Sequence, residues 1–429
     1  MILRLLLLSA CVASAAPVSF RAEVAPLLQR RCATCHSAEN PKGRYKLDTF
    51  ARLMKPGQSD LPAVTPGKPA ASEIAALLRE MSATDRMPQK ADALPEAEIA
   101  LIERWIAEGA HFDGKSKDQP LVELVRDSML RPAPQKYARP LPITALAFSP
   151  DGTRLAASGY YEITMWNVSD GALTARLDGL PERITSLAWH GERLAVAGGS
   201  PMQWGTVALA DAEGKAPPKF LCDLAETALS VAFSADGSHI AAGSGDRTVR
   251  VFDASGRKLR VLKPHADWVQ DVAFSPDGSH LLTASRDRTA RVLDLKSGEA
   301  TTSYTGHDTP LLACAFAADG AAWTLARGST MHRWDSAKAK RDGEIKGAEW
   351  TVFCAGSSGF VAASGDRKLR FFPGSERTPK ATWDAPGDAV LSLAMSGDGK
   401  LCASGAANGT VAVFALPEGK LLRMFVAAP

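Results

Sequence analysis

A repeat of about 42 residues runs through the last two thirds of this 429-residue chain and restricts its fold more than any other feature. Strings of the type TALAFSPDGTRLAASG recur as SVAFSADGSHIAAGSGDRTVRVFD, DVAFSPDGSHLLTASRDRTARVLD, ACAFAADGAAWTLARG and SLAMSGDGKLCASGAANGTVAVF. Aligned on the large residue before each turn, the anchors are Phe148, Trp189, Phe233, Phe274, Phe316, Phe353 and Met395, with steps of 41, 44, 41, 42, 37 and 42. Within a repeat, Val231 and Phe233 and then Ile240 alternate as half-buried strands do. Ser-Pro-Asp-Gly sets Pro where a type I turn needs its fixed φ and Gly at the turn's end. A second turn, SGDRT or SRDRT, leads into a third strand of the form RVFD or RVLD. One such unit cannot cover both of its faces, so seven of them must stack around an axis and bury one another.

These strings resemble WD40 repeats over residues 142–426, which implies a seven-bladed β-propeller. The resemblance is degenerate. Only Trp166 and Trp334 occupy the third-strand tryptophan region, where Phe252, Leu293 and Phe372 stand in other repeats. His265, Ser285 and Asp287 come nearest to the family's supporting hydrogen-bond set, and His307 is a similar loop histidine; these are expected to be structural. Arg247 with Arg250, Arg288 with Arg291, and Arg367 with Arg370 are expected to be solvated strand-edge charges, a basic docking patch being the alternative.

Upstream the sequence is different in kind. MILRLLLLSACVASAA, residues 1–16, reads as a secretory signal peptide, so the protein is expected to be exported to the periplasm. Leu8-Ser9-Ala10-Cys11 also resembles a lipobox, and membrane tethering is expected only if Cys11 is lipidated. Residues 17–113 carry helix signals: Phe20, Val24, Leu27 and Leu28 at helical spacing, a Ser cap on 72–81, and Pro with early acids on 95–108 before Gly109. Residues 114–141, rich in Lys, Gly and Pro, read as a linker before the repeats at 142–429, within which Leu121 to Leu130 could form a short helix or strand. Fifty basic and 47 acidic side chains leave +3, so no sequence-wide field selects nucleic acid as a partner. Cys222, Cys314, Cys354 and Cys402 lie in apolar strand-like stretches and read as small buried hydrophobes, although export makes a disulfide feasible.

The chemistry concentrates in CATCH, residues 32–36. Attaching a c-type haem takes two thiols a short turn apart and an imidazole that reaches iron, and CxxCH supplies both. Cys32 and Cys35 would form the thioethers of one covalent haem c, and His36 the proximal ligand. A redox dithiol expects a βαβ setting that this segment lacks, and zinc expects more ligands than the nearby His111 adds. For the distal iron ligand the candidates are Met87, in the loop DRMPQK between two helices, then Met81, Met54 and His111, or an open position.

Taken in order, RCATCHSAENPKGRYKLDTF, PGKPAASEI, DRMPQK and LPEAEIALIERWIAEGA resemble the planctomycete-type cytochrome c domain over residues 18–112. That resemblance implies His36 and Met87 as the ligand pair, with the usual glycine-rich run reduced to Gly43. The expected architecture is a small all-α class I-like cytochrome c domain followed by an all-β seven-bladed WD40-type propeller. The expected function is single-electron transfer to or from a redox partner protein that the propeller docks. An oxidoreductase whose propeller holds a substrate or second cofactor is the alternative, and a redox or gas sensor a third reading.

Overall fold

In the computed structural model, which describes residues 16–33, 35–36, 41–89, 91–224 and 226–427, every sequence anchor lies on the first strand of an antiparallel blade. Each anchor faces a residue of the second strand: Phe148 pairs with Leu155, Trp189 with Leu194, Phe233 with Ile240 and Phe274 with Leu281. Phe316 pairs with Ala322, Phe353 with Ala362 and Met395 with Cys402 in the same way. First strands of consecutive blades touch all the way round, the seventh meeting the first, so the sheets form a closed seven-bladed propeller. The expected leader, save its last residue, and Cys11 lie outside the described residues.

Strand alternation explains why the ring holds. Ile240 and Ala242 join the apolar cluster shared with the second blade, whereas Ala241 between them joins the cluster shared with the fourth. Seven such clusters, each drawn from two neighbouring blades, fill the seven interfaces. Every blade is built from consecutive strands, so the ring closes by packing rather than by strand exchange. At the closure Trp166 stacks on Phe425 at 4.6 Å, Ile143 donates its N–H to the Ala406 carbonyl at 3.1 Å, and Ser392 donates its hydroxyl to the Ile143 carbonyl at 2.7 Å.

The short step of 37 residues has a local cause. The strand Lys340–Gly356 serves as the outer strand of the fifth blade and continues, without a connecting loop, as the first strand of the sixth. Elsewhere a loop such as 305–310 separates those two strands.

The described residues up to Ser128 form a separate helical unit. A π-helical turn, Phe20–Val24, continues into α1 (Ala25–Arg31); α2 (Phe50–Leu53), α3 (Glu73–Arg79), α4 (Glu96–Ala107) and α5 (Leu121–Met129) follow. Its core is aromatic: Phe20 meets Phe50 edge-on at 4.9 Å and Trp105 at 5.4 Å, and Trp105 is fully buried. Helix α3 stops short of the expected end at residue 81, and Ser72 does not cap it with its side chain. The Ser72 hydroxyl instead accepts from the Thr65 N–H at 2.8 Å and donates to the Lys68 carbonyl at 3.0 Å.

The expected linker, 114–141, needs correction. Its first half belongs to the helical unit: Ala51 N–H donates to the Lys117 carbonyl, Leu121 N–H to the Asp48 carbonyl, and α5 buries Leu121, Leu124 and Val125. Those apolar positions at i, i+3 and i+4 make one helical face, which a free linker would leave in water. Its second half is fastened to the first blade. Glu162, with no exposed surface, takes two hydrogen bonds from Arg176 at 2.6 and 2.7 Å and one from the Tyr137 hydroxyl, while Arg176 also donates to the carbonyls of Pro134 and Gln135. Replacing Glu162 with Ala leaves a desolvated guanidinium without its carboxylate and is expected to cost about 3 kcal/mol in urea unfolding of the propeller.

Asp271 joins three blades, accepting from the Ser230 hydroxyl at 2.6 Å and from the N–H groups of Val272 and Cys314, each at 2.9 Å. Burial pushes its pKa up to about 6, against the pull of those hydrogen bonds. A raised carboxyl pKa gives stability that is fully present below the unfolded value, near 4, and is lost as pH rises through 6. The propeller is therefore expected to lose on the order of 1–3 kcal/mol between pH 4 and 7 through this group, and Asp271→Asn to flatten that slope in denaturant titrations at both pH values.

Candidate haem site

Helix α1 ends with Arg30 and Arg31, cations suited to a helix C-terminus, and Cys32 caps it. The Cys32 carbonyl then accepts the N–H groups of Cys35 and His36, both at 3.1 Å, so Cys32, Cys35 and His36 share one backbone turn. The returning chain grips that turn. Lys42 N–H donates to the Cys35 carbonyl at 2.9 Å, Leu47 N–H donates to the His36 carbonyl at 3.0 Å, and His36 bridges to Pro41. The loop achieves this with one glycine: Gly43 sits at φ +61° and Arg44 follows at φ +55°. A Cβ on Gly43 would meet no atom, so the residue is there for its backbone angle rather than for space.

The imidazole of His36 is oriented by the Lys42 carbonyl, 3.1 Å from Nδ1. A carbonyl only accepts, so Nδ1 carries the proton and Nε2 keeps its lone pair. Metal-bound histidines commonly hold their second nitrogen in this way. Tyr45 stands edge-on to the ring at 5.4 Å and is itself fixed by donating its hydroxyl to the Leu53 carbonyl at 2.8 Å. The two cysteines are not bonded to each other, and burial together with the neighbouring Cys35 pushes Cys32 up to about 12. A disulfide-exchange pair works through a lowered thiol pKa, so this environment is the wrong one for a redox dithiol. Two thiols and a correctly protonated imidazole on one turn fit a covalently held haem.

Met87 lies on a different segment, half-buried, its N–H bonded to the Leu77 carbonyl at the end of α3 at 3.0 Å. Among the alternatives, Met81 falls beyond α3 and is 90% exposed. His111 is exposed and lends its carbonyl to Trp105 Nε1 at 3.0 Å, while Met54 is half-buried at the end of α2.

Glu98 on α4 was not singled out by any motif, yet it holds the haem-motif turn in place. It accepts from Arg30 at 3.1 Å and from Arg31 at 2.9 Å, tying the residues just before Cys32 to the next long helix. Burial acts to raise its pKa, but the two guanidinium groups outweigh it and hold the carboxyl below its ordinary range. The sequence signal was the Arg-Arg pair preceding the cysteines, which does not say which acid it meets. Because the arginines are partly exposed, Glu98→Gln is expected to cost only about 1 kcal/mol of thermal stability in the helical unit.

In the propeller the histidines serve the blades. His265 bonds Asp287 through Nδ1 at 3.0 Å and Thr283 through Nε2 at 2.7 Å, so Thr283, and not Ser285, completes that set. The Ser285 hydroxyl accepts instead from the Asp287 N–H. His307 meets Thr324 at 2.8 Å, to which Trp334 also donates, and stacks on His332 at 3.9 Å. Burial and that neighbour hold His307 down to about 3, a neutral side chain. The arginine pairs divide: Arg247, Arg288 and Arg367 are exposed at left-handed turn tips, whereas Arg250 and Arg370 fold back onto Asp246 and Asp366 of their own turns.

The family described as Planctomycete cytochrome C matches residues 32–90. The family described as WD domain, G-beta repeat, matches residues 137–167, 225–253, 256–294 and 377–414, which leaves the second, fifth and sixth blades to be recognised chiefly by their strands. One similar protein is the "Probable serine/threonine-protein kinase PkwA" of Thermomonospora curvata, 52% identical over 44 residues, 10% of this chain and 6% of that protein. So small a share of its length leaves the kinase name with that protein. The chain thus joins a segment that matches the planctomycete cytochrome C family, a match that implies haem binding, to a seven-bladed propeller carrying WD40 repeats.

Proposed function

We propose that the protein is an exported single-electron carrier, with one haem c bound covalently by Cys32 and Cys35 and ligated by His36 and Met87. The propeller is then a scaffold that docks a redox partner protein and brings the haem edge close to it. Bound through a histidine and a methionine, the haem supplies one-electron chemistry with no open coordination position. The observation that carries this reading is the His36 tautomer, because the Lys42 carbonyl holds the proton on Nδ1 and leaves Nε2 free for iron. Lys42 and Leu47 keep the backbone of the turn closed, so the imidazole has little rotation to lose on ligation. The thioether of Met87 is neutral and polarisable, and a neutral sixth ligand of this kind favours the reduced state. The leader at residues 1–16 supports a periplasmic location, and lipidation at Cys11 would add a membrane tether.

The test is an absorption spectrum of the oxidised and reduced protein matured with haem, for wild type and Met87→Ala. Wild type is expected to be low-spin, with the weak near-infrared methionine-to-iron band in the oxidised form, and the variant to lose that band and become at least partly high-spin. A wild type that is already high-spin, or a variant with an unchanged spectrum, would remove Met87 from the ligand set and favour catalysis or sensing over electron carriage.

A further inference from the structure

Six cysteines lie among the described residues, and two of those outside the haem motif share one cluster. Cys354 is on the strand Lys340–Gly356 of the sixth blade, and Cys402 is on the strand Leu401–Ala406 of the seventh. Both face the apolar cluster between the two blades, Cys402 as a member and Cys354 packed against it. The surrounding geometry holds them there. A Cβ on Gly356, two residues beyond Cys354, would come within 2.5 Å of the Met395 sulfur, and Met395 is the cross-strand partner of Cys402. Ser358 donates its hydroxyl to the same sulfur at 3.6 Å, so the end of the sixth blade is pressed against this part of the seventh. Cys402 has no exposed surface and belongs to the cluster between the two blades, with Cys354 packed against it and partly accessible. By contrast, Cys314 turns its thiol to the Leu282 carbonyl at 3.7 Å, and Cys222 lies at the interface of the second and third blades.

We infer that Cys354 and Cys402 form a disulfide that staples the sixth blade to the seventh. The inference rests on the export proposed above, because disulfides persist in oxidising compartments and not in a reducing cytosol. The oxidant is an external protein disulfide. The Cys354 thiolate attacks it, forms a mixed disulfide and releases one thiol. Cys402 then displaces the second thiol and closes the bridge, so the chain gives up two electrons and two protons and the oxidant becomes a dithiol. Cys402 has no exposed surface once the ring is closed, which places the second step during docking of the last blade, while solvent still reaches that sulfur. The benefit follows from how the ring closes. Since no strand is exchanged between the first and last blades, the seventh blade is kept in place by side-to-side packing, and a covalent link to its neighbour limits its departure.

The experiment uses the full chain purified from the periplasm, unfolded in alkylating reagent without reductant and mapped by mass spectrometry, with haem staining of the denatured chain run beside it. The expected result is one species that joins the Cys354 and Cys402 peptides, two hydrogens lighter than their sum and separated by reductant, while Cys222 and Cys314 are alkylated. Reductant is also expected to lower the propeller's melting temperature by roughly 5–10 °C, a shift that Cys354→Ser and Cys402→Ser each abolish. Both thiols alkylated in haem-bearing wild-type protein would overturn the bridge and leave the electron-carrier reading untouched. A linked pair in protein that has no covalent haem would do the reverse. A linked pair whose reduction leaves melting unchanged would overturn its role as a staple.

Discussion

A four-stranded blade with two apolar faces has no stable existence by itself, and the propeller depends on that. Ala241 and Ala242, adjacent in one strand, serve different interfaces, so each blade contributes to two cores and is complete only with a neighbour on both sides. Seven interfaces for seven blades leave no uncovered face, and closing the ring is therefore a requirement of burial rather than an addition to it. Here the closure is made by Trp166 on Phe425 and by the backbone around Ile143, without an exchanged strand. The seam is filled by an apolar cluster like those of the other six interfaces and has no topological lock.

Polar groups in the molecule are spent on positioning. Asp271 links three blades near the axis, Glu162 and Arg176 fasten the incoming chain to the first blade, and His265 with Thr283 and Asp287 braces the fourth. In the helical unit the same economy appears in Glu98, which holds the two arginines before the haem motif, and in Lys42, whose carbonyl sets the proton of His36. None of these residues performs electron chemistry. They decide where the groups that would do so are held, and in which protonation state.

Chemistry and period were legible in the chain from the start, for different reasons. CxxCH is a local constraint: thioether attachment needs its two thiols and its imidazole within five residues, so the whole motif is contiguous. The forty-two-residue period is written seven times, so degenerate repeats such as the second and sixth could still be placed by their neighbours. Helix boundaries came within a few residues for α4, whose Pro and Gly punctuation is strong, and were less accurate for α3, where Ser72 turns away from the cap to bond Thr65 and Lys68.

By itself, then, the sequence determined the helical unit, the seven blades, the CxxCH turn and the presence of Met87 in a loop after α3, because each is encoded in local spacing or in repetition. Tertiary structure alone decided which partners those residues meet. It assigned residues 114–128 to the helical unit, gave Glu98 to Arg30 and Arg31, exchanged Ser285 for Thr283, left Met81 in solvent, and brought Cys354 and Cys402, 48 residues apart in the chain, to one cluster between two blades. Contacts of that kind depend on which faces pack together in three dimensions, and a face is defined by register and by a neighbouring element, neither of which any single stretch of sequence contains.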